Sequence, residues 1–268
     1  MSFTVSSLYI YPVKSLSGFS VKEAVITAKG FEHDRRWMLI DKAGKFITQR
    51  EVHAMALLQT AITPDGLYIY HKQNPGKNIT IPFLLTPGEV KKVQIWDDEC
   101  EAWTYDDAIN NWFSKVLDTE CELVYMPDET NRLVDPGYAK ENQTTSFSDG
   151  YPFLIIGQSS LDELNRKLST PLKMDRFRPN IVFTSGEPHA EDNWKHFTIN
   201  GIDFFGVKTC GRCMITTIDQ QTSGAGKEPL KTMATYRTVG NSIKFGMNLL
   251  HKGAGAVRVG DTITLHAE

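Results

Sequence analysis

Cysteine is scarce. Four thiols in 268 residues are too few for a scaffold built on disulfides, and only Cys210 and Cys213 stand close enough to form a motif. Charge of one sign is also lacking. Lys plus Arg number 29 and Asp plus Glu 32, a net of −3, which argues against nucleic acid or an anionic membrane as a partner held by bulk charge. Gly (20) and Pro (12) stay at ordinary levels, which excludes collagen-like and disordered classes. No apolar run approaches the ~18–20 residues of a membrane span; the stretch 151–157 is among the longest. The opening MSFTVSSLYIYPVKS has no basic segment, no long apolar run and no small-residue cleavage site, so the expected compartment is the cytoplasm. What is present is an apolar fraction of 41%, enough for a sizeable core in one large domain or two small ones.

The first hundred residues read as a β-meander. Residues 21–27 alternate loosely and stop at Gly30. Residues 36–41 (RWMLID) and 45–49 (KFITQ) flank Lys42-Ala43-Gly44 and predict a hairpin. Residues 67–71 follow the turn Pro64-Asp65-Gly66, and 90–96 and 100–104 flank Asp97-Asp98. Such spacing predicts a barrel or sandwich rather than a parallel α/β sheet. Helices are few. Asp106 or Asp107 caps one with Ile109, Trp112, Phe113, Val116 and Leu117 on a single face. Ser159 or Ser160 caps a second carrying Leu161, Leu164 and Leu168, and Pro229 opens a third with Leu230, Met233 and Arg237. Residues 256–266 predict two strands around Gly260-Asp261. Residues 127–143 are polar and read as a long loop, a length that usually marks function or mobility. A boundary falls near 118–134, giving two β-rich subdomains.

Five segments carry residues suited to chemistry. In Thr209-Cys210-Gly211-Arg212-Cys213-Met214-Ile215-Thr216-Thr217 the C-x-x-C motif has several readings. It is half a zinc site, a redox pair, a single soft metal ligand, or two small residues packed at a strand end. The β-branched residues that follow predict a strand, against the helix a thioredoxin-like pair requires. Arg212 favours a thiolate beside it. In Tyr11-Pro12-Val13-Lys14-Ser15, Lys14 and Ser15 offer donors to an oxyanion or phosphate. Asp34-Arg35-Arg36-Trp37 is either a phosphate clamp or a surface ion pair. In Asp175-Arg176-Phe177-Arg178-Pro179-Asn180, alternation places Arg176, Arg178 and Asn180 on one strand face. Ser148-Asp149-Gly150-Tyr151-Pro152 is a turn feeding a strand over 153–156. If the fold gathers Lys14, Arg35, Arg36, Arg176, Arg178 and Arg212, the result is a cationic pocket with a thiol in it. That suits an anionic organic cofactor bearing a soft-ligand metal.

YPVKS, DRRW, ITQR, SDGYPFLI, SLDELN, FRPNIVF, CGRCMITTID, KEPLKTMATYR and VRVGDTITL, in this order along nearly the whole chain, resemble the MOSC family. The branch is the one with an N-terminal MOSC β-barrel domain, which includes bacterial YcbX-type proteins and mitochondrial amidoxime-reducing components. The resemblance implies a mainly β fold with a few helices: a β-rich N-terminal MOSC domain over residues 1–120 and a β-barrel MOSC domain over 121–268. It implies a molybdenum cofactor, Mo held by a pyranopterin, with Cys213 as the protein ligand to the metal and Cys210 its neighbour. It places the pterin and phosphate grip on Lys14, Ser15, Arg35, Arg178 and Asn180, and Asp149 close to the metal. A raised pKa would let Asp149 relay a proton. Some members continue into a ferredoxin domain with a C-x4-C-x2-C motif. These cysteines are lacking here, so a separate flavin or iron–sulfur protein is the expected electron donor.

The leading reading is therefore a molybdenum-dependent oxidoreductase of small N-hydroxylated compounds, such as hydroxylaminopurines or amidoximes. A sulfur carrier with a persulfide on Cys213 is the second reading, and a non-catalytic cofactor-binding module the third.

Overall fold

A computed structural model describes residues 2–83, 88–139 and 141–266. Its centre is a closed barrel of seven strands. Phe153–Gly157 lies beside Ile181–Thr184, followed by Phe3–Ile10, Thr262–Leu265, His196–Ile199, Ile202–Gly211 and Ser242–Lys252. The ring closes where Phe153–Gly157 pairs back onto Ser242–Lys252, Phe153 opposite Leu249 and Ile155 opposite Met247. Closure leaves no exposed sheet edge in that ring. Phe153 and Ile155 point into the barrel with Val5, Leu8, Ile181, Phe183, Phe197 and Phe204. The alternate residues Leu154 and Ile156 pack outward against Leu161, Leu164, Phe177 and Met233. Both faces of Phe153–Gly157 are covered, so this strand reads as an unbroken apolar run. Its pairing with Ile181–Thr184 is parallel, which requires a crossover. The crossover contains α1's successor in the chain, α2 (Gln158–Lys167); α1 itself (Asp107–Leu117) lies in the other half.

That other half contains a four-stranded sheet in the order Trp37–Ile40, Glu122–Tyr125, Asp98–Thr104, Val90–Ile95, and a meander of Leu58–Thr63, Gly66–His71 and Asn74–Ile81. Ile109, Phe113 and Leu117 of α1 pack with Leu67, Ile69 and Leu123. The Asp106 carboxylate accepts from the Ile109 N–H at 3.0 Å, satisfying one of the first-turn donors. Strands cross between the two parts of the chain: Phe3–Ile10 is a barrel strand, Glu122–Tyr125 belongs to the four-stranded sheet, and Glu23–Thr27 pairs with Gly255–Arg258. Among the described residues no helix is long and apolar enough to cross a membrane.

Several local expectations need correction. The second arm of the expected hairpin, residues 45–49, is not a strand and makes only isolated bridges, Ile40 to Phe46 and Lys45 to Gln94. The Asp41 carboxylate takes the N–H groups of Ala43 and Lys45, and Gln49 turns inward to donate to the Ser15 carbonyl. Helix α2 starts at Gln158 with Gly157 as its cap. Ser160 is occupied elsewhere, its hydroxyl bonding to the buried Glu191 carboxylate at 3.1 Å. Leu168 and Arg237 lie beyond the ends of their helices, α2 and α3 (Leu230–Ala234). Met214–Thr217 after the C-x-x-C is a 3-10 turn, not a strand. The hydroxyls of Thr216 and Thr217 donate back to the carbonyls of Cys213 and Met214, at 3.0 and 2.8 Å, and close that turn.

Candidate functional site

A cavity of about 270 Å³ opens where the end of the first strand meets the 148–151 turn, the 177–180 loop and the C-x-x-C segment. Its lining holds six cationic side chains, Lys14, Arg35, Arg50, Arg178, Lys208 and Arg212, against one carboxylate, Asp149. Three lining residues that are not glycine have left-handed backbone: Ser15 (φ 67), Arg35 (φ 50) and Arg178 (φ 56). Each costs of order 1–3 kcal/mol, and such costs cluster where side chains must be aimed.

Lys14 is 5% exposed. Its backbone N–H donates to the Trp37 carbonyl at 2.8 Å, fixing the segment after Pro12. Its Nζ donates to the Phe147 carbonyl at 2.9 Å and to Asp149 Oδ1 at 2.6 Å. Burial lowers the Lys14 pKa, and Asp149 partly offsets this. Burial alone would raise the Asp149 carboxyl. The charge and hydrogen bond of Lys14, with Arg35 and Arg50 nearby, reverse that and hold it well below the usual carboxylate range. The Asp149 side chain is 73% exposed, so the ion pair sits at the cavity wall facing its opening.

Arg35 and Arg178 both lie over the ring of Tyr11, each guanidinium 4.4 Å from the centroid. Arg35 donates to Asp34 Oδ2 at 2.5 Å, to Asn180 Oδ1 at 3.1 Å and to the Arg178 carbonyl at 3.2 Å. Arg178 donates to the Leu16 carbonyl at 2.6 Å. Burial, then repulsion from Arg35, pushes its pKa down to about 10. Asn180 is 1% exposed and accepts from the Leu154 N–H at 3.3 Å as well. The Tyr11 hydroxyl is buried without a hydrogen-bond partner among the described residues, and burial pushes its pKa up.

Across the cavity, Cys213 is exposed at the N-terminal cap of the 3-10 turn. Cys210 falls in an irregularity of the Ile202–Gly211 strand between Thr209 and Gly211. Arg212 donates to Cys210 Sγ at 3.0 Å and to the Phe177 carbonyl at 2.6 Å, joining the C-x-x-C segment to the 177–180 loop. Cys100 and Cys121 are buried elsewhere, and burial pushes the Cys100 thiol up to about 11.

The fold brings Lys14, Ser15, Arg35, Asp149, Arg178, Asn180 and Cys213 to one cavity, with Cys210, Arg212 and Thr216. Two expected members lie outside it. Arg36 donates to the Met126 carbonyl and pairs with Asp128 at 2.8 Å. Arg176 donates to the Thr216 carbonyl and pairs with Asp219, both at 3.0 Å. The expected strand face through Arg176, Arg178 and Asn180 is absent. Arg176 sits in a 3-10 turn, Arg178 is left-handed, and the strand starts only at Ile181, after Pro179, which has no N–H to pair. Three functional positions escaped the sequence reading. Arg50, in the ITQR motif, and Lys208 line the cavity. Arg132, in the polar loop 127–143, is 3% exposed and donates to the carbonyls of Ser146 and Ser148 at 2.8 and 2.7 Å. It thereby braces the segment that carries Phe147 and Asp149.

Among the described residues no group of three or more His, Cys, Asp or Glu gathers as a metal site.

The family described as the MOSC N-terminal beta barrel domain matches residues 2–120, and that described as the MOSC domain matches residues 142–264. The human protein named mitochondrial amidoxime-reducing component 1 is 32% identical over 282 residues, covering 98% of this chain and 82% of that protein. The molybdenum cofactor sulfurase of Oryza sativa is 30% identical, covering 91% of this chain and 32% of that protein. Among solved structures, the YUAD protein from Bacillus subtilis aligns with 98% of this chain and 94% of its own at 12% identity, with a TM-score of 0.46. The two matches, one on each half, and the relative that spans nearly the whole chain agree: the chain belongs to the MOSC family, with both the N-terminal MOSC barrel domain and the MOSC domain.

Proposed function

We propose that the cavity binds a molybdenum cofactor and that the protein is an oxidoreductase reducing small N-hydroxylated compounds, hydroxylaminopurines and amidoximes among them. Electrons come from a separate flavin or iron–sulfur protein. The observation that carries this reading is the convergence of six cations and one exposed thiol on a single cavity in a chain of net charge −3.

The residues fit such a group. Arg178 is buried near Arg35, whose charge Asp34 only shares, and an anion beside the two guanidiniums relieves that cost. A thiolate suits a soft-to-borderline metal. Lys14, Ser15, Arg35, Arg178 and Asn180 would grip the pterin and its phosphate, and Cys213 would ligate the metal. When bound, the cofactor supplies a two-electron redox centre that accepts oxygen from an N–O bond. The protein's part is binding and orientation. Arg35, fixed by Asp34 and Asn180, presents its remaining N–H groups without reorganising. Arg212 holds the C-x-x-C segment against Phe177 and so sets where Cys213 stands. Lys14 holds the Asp149 carboxyl below the usual carboxylate range, which runs against the expected raised-pKa proton relay. Its part is to orient Lys14 and to limit the positive charge of the cavity.

The test is metal and pterin content of the protein expressed with molybdate, wild type beside Cys213→Ala. Mo near one per chain in the wild type and lost in the variant supports the reading. No Mo and no pterin in a host that makes the cofactor overturns it. Sulfane sulfur on Cys213 in that protein would indicate the sulfur carrier instead, and its absence too a binding module.

A further inference from the structure

Residues Trp96 and Asp97 form a two-residue loop, since Ile95 pairs with Asp98 across the hairpin. The first position of such loops calls for Gly, Asn or Asp, because its φ is positive. Here it carries a tryptophan at φ 55. The local chain gains nothing from the largest side chain at a position built for the smallest, so the reason lies in what the indole touches. Trp96 is 41% exposed, and the Arg50 guanidinium lies 4.2 Å from its ring centroid. Arg50 lines the cavity beside Asp149. Behind them Phe46 meets Trp96 edge-on at 5.0 Å, and Lys14 Nζ lies 5.3 Å from the Phe46 ring. A continuous row of ring and cation thus runs from the buried Lys14 through Phe46 to the exposed Trp96, which backs the cavity-lining Arg50. The Gln94 side-chain amide donates to the Trp96 carbonyl at 3.0 Å and steadies the turn.

We infer that Arg50, held flat against Trp96, forms a stacking platform in the cavity wall that selects planar, aromatic or heteroaromatic substrates over aliphatic ones. The inference rests on the proposed reaction taking place in this cavity. A guanidinium held flat on an indole offers its outer face, and stacking between flat groups is worth about 0.5–3 kcal/mol, or roughly two- to 150-fold in affinity. An alkyl substrate has no face to stack and gains little there. Arg50 contributes a plane as well as a charge, so lysine is no substitute for it.

The experiment compares N-phenylhydroxylamine with N-methylhydroxylamine in the loaded protein, for wild type, Trp96→Asn and Trp96→Tyr. Wild type favours the phenyl compound. Trp96→Asn lowers the phenyl-to-methyl ratio of kcat/KM by about tenfold, chiefly through KM, and Trp96→Tyr retains most of it. Asparagine accepts the left-handed backbone, so Trp96→Asn folds with a Tm within a few degrees of wild type. A lowered Tm with an unchanged ratio would make Trp96 a structural residue and overturn the inference. Fluorescence titration with N-phenylhydroxylamine supplies a readout without turnover: quenching in wild type, weaker or absent in Trp96→Asn. Quenching that depends on Trp96 in a protein with no turnover of either compound keeps the platform and rejects the proposed reaction. Equal quenching in both proteins rejects the platform whatever the turnover.

Discussion

Replacing Asp149 by Asn removes the one carboxylate in a cavity lined by six cations. The Lys14 ammonium loses its 2.6 Å partner, and the positive potential of the site rises. Inorganic phosphate should then bind about three- to tenfold more tightly, the size of one screened charge interaction, as read by calorimetric titration. The pH behaviour has a definite sign. The folded carboxyl is held below its unfolded value, so its contribution to stability is in place above ~pH 4 and is lost as pH falls through the range below. Between pH 5 and 8 Tm should therefore run parallel in wild type and Asp149→Asn, with wild type higher, and the gap should close only in strong acid. An acid limb of the rate profile near pH 6 that vanishes in Asp149→Asn would restore the proton-relay role. Arg132 is a second residue with a distinct signature. Its guanidinium bridges the Ser146 and Ser148 carbonyls and pairs with Asp98 at 2.8 Å. Arg132→Ala strands two inward carbonyls and should cost about 2–4 kcal/mol in denaturant unfolding. Arg132→Lys cannot span the three acceptors and should recover less than half of that loss.

At the scale of the element, α1 shows what short-range pattern can carry. Its cap and its apolar stripe are all within one stretch of sequence, and Asp106→Ala should cost about 1 kcal/mol, measured by thermal or denaturant unfolding. The same logic fails for the C-x-x-C segment. Met214-Ile215-Thr216-Thr217 has strand-like residues, yet the two threonine hydroxyls bond back within the turn, and Arg176 takes the Thr216 carbonyl from the far side. Local propensity lost to hydroxyls that bond back within the turn and to an arginine forty residues away. The cavity divides in the same manner. Lys14, Arg35, Arg178 and Cys213 were legible because each sits beside Pro, Asp or a second Cys in a compact motif. Arg132 was not, since nothing in a polar loop shows that it will fold under residues 146–148. Nor was Trp96, whose turn reads as Asp97-Asp98 until the pairing of Ile95 with Asp98 moves it by one residue.

At the scale of the whole molecule, the mainly β character was readable from strand spacing, but the order of strands in the barrel was not. The first strand, Phe3–Ile10, lies between Ile181–Thr184 and Thr262–Leu265, pairings that span most of the chain. No periodicity within ten residues encodes such a partner. The arrangement has a consequence for how the chain can be divided. Val5 is 1% exposed, Leu8 0% and Ile10 7%, all within the barrel core. Burial of three such side chains is worth about 5–9 kcal/mol, comparable with the 5–15 kcal/mol that holds a typical domain. The same segment leads directly into Lys14 and Ser15, and residues 1–120 also carry Arg35 and Arg50, so this barrel strand and three of the six cavity cations lie in that part of the chain. A fragment of residues 121–268 should therefore fail to fold when expressed alone, showing no cooperative thermal transition and aggregating through the two strand edges it exposes. Adding residues 1–120 as a separate chain should restore both the transition and the affinity for phosphate together. A cooperative melt from 121–268 by itself would show that Phe3–Ile10 merely covers a barrel already closed without it.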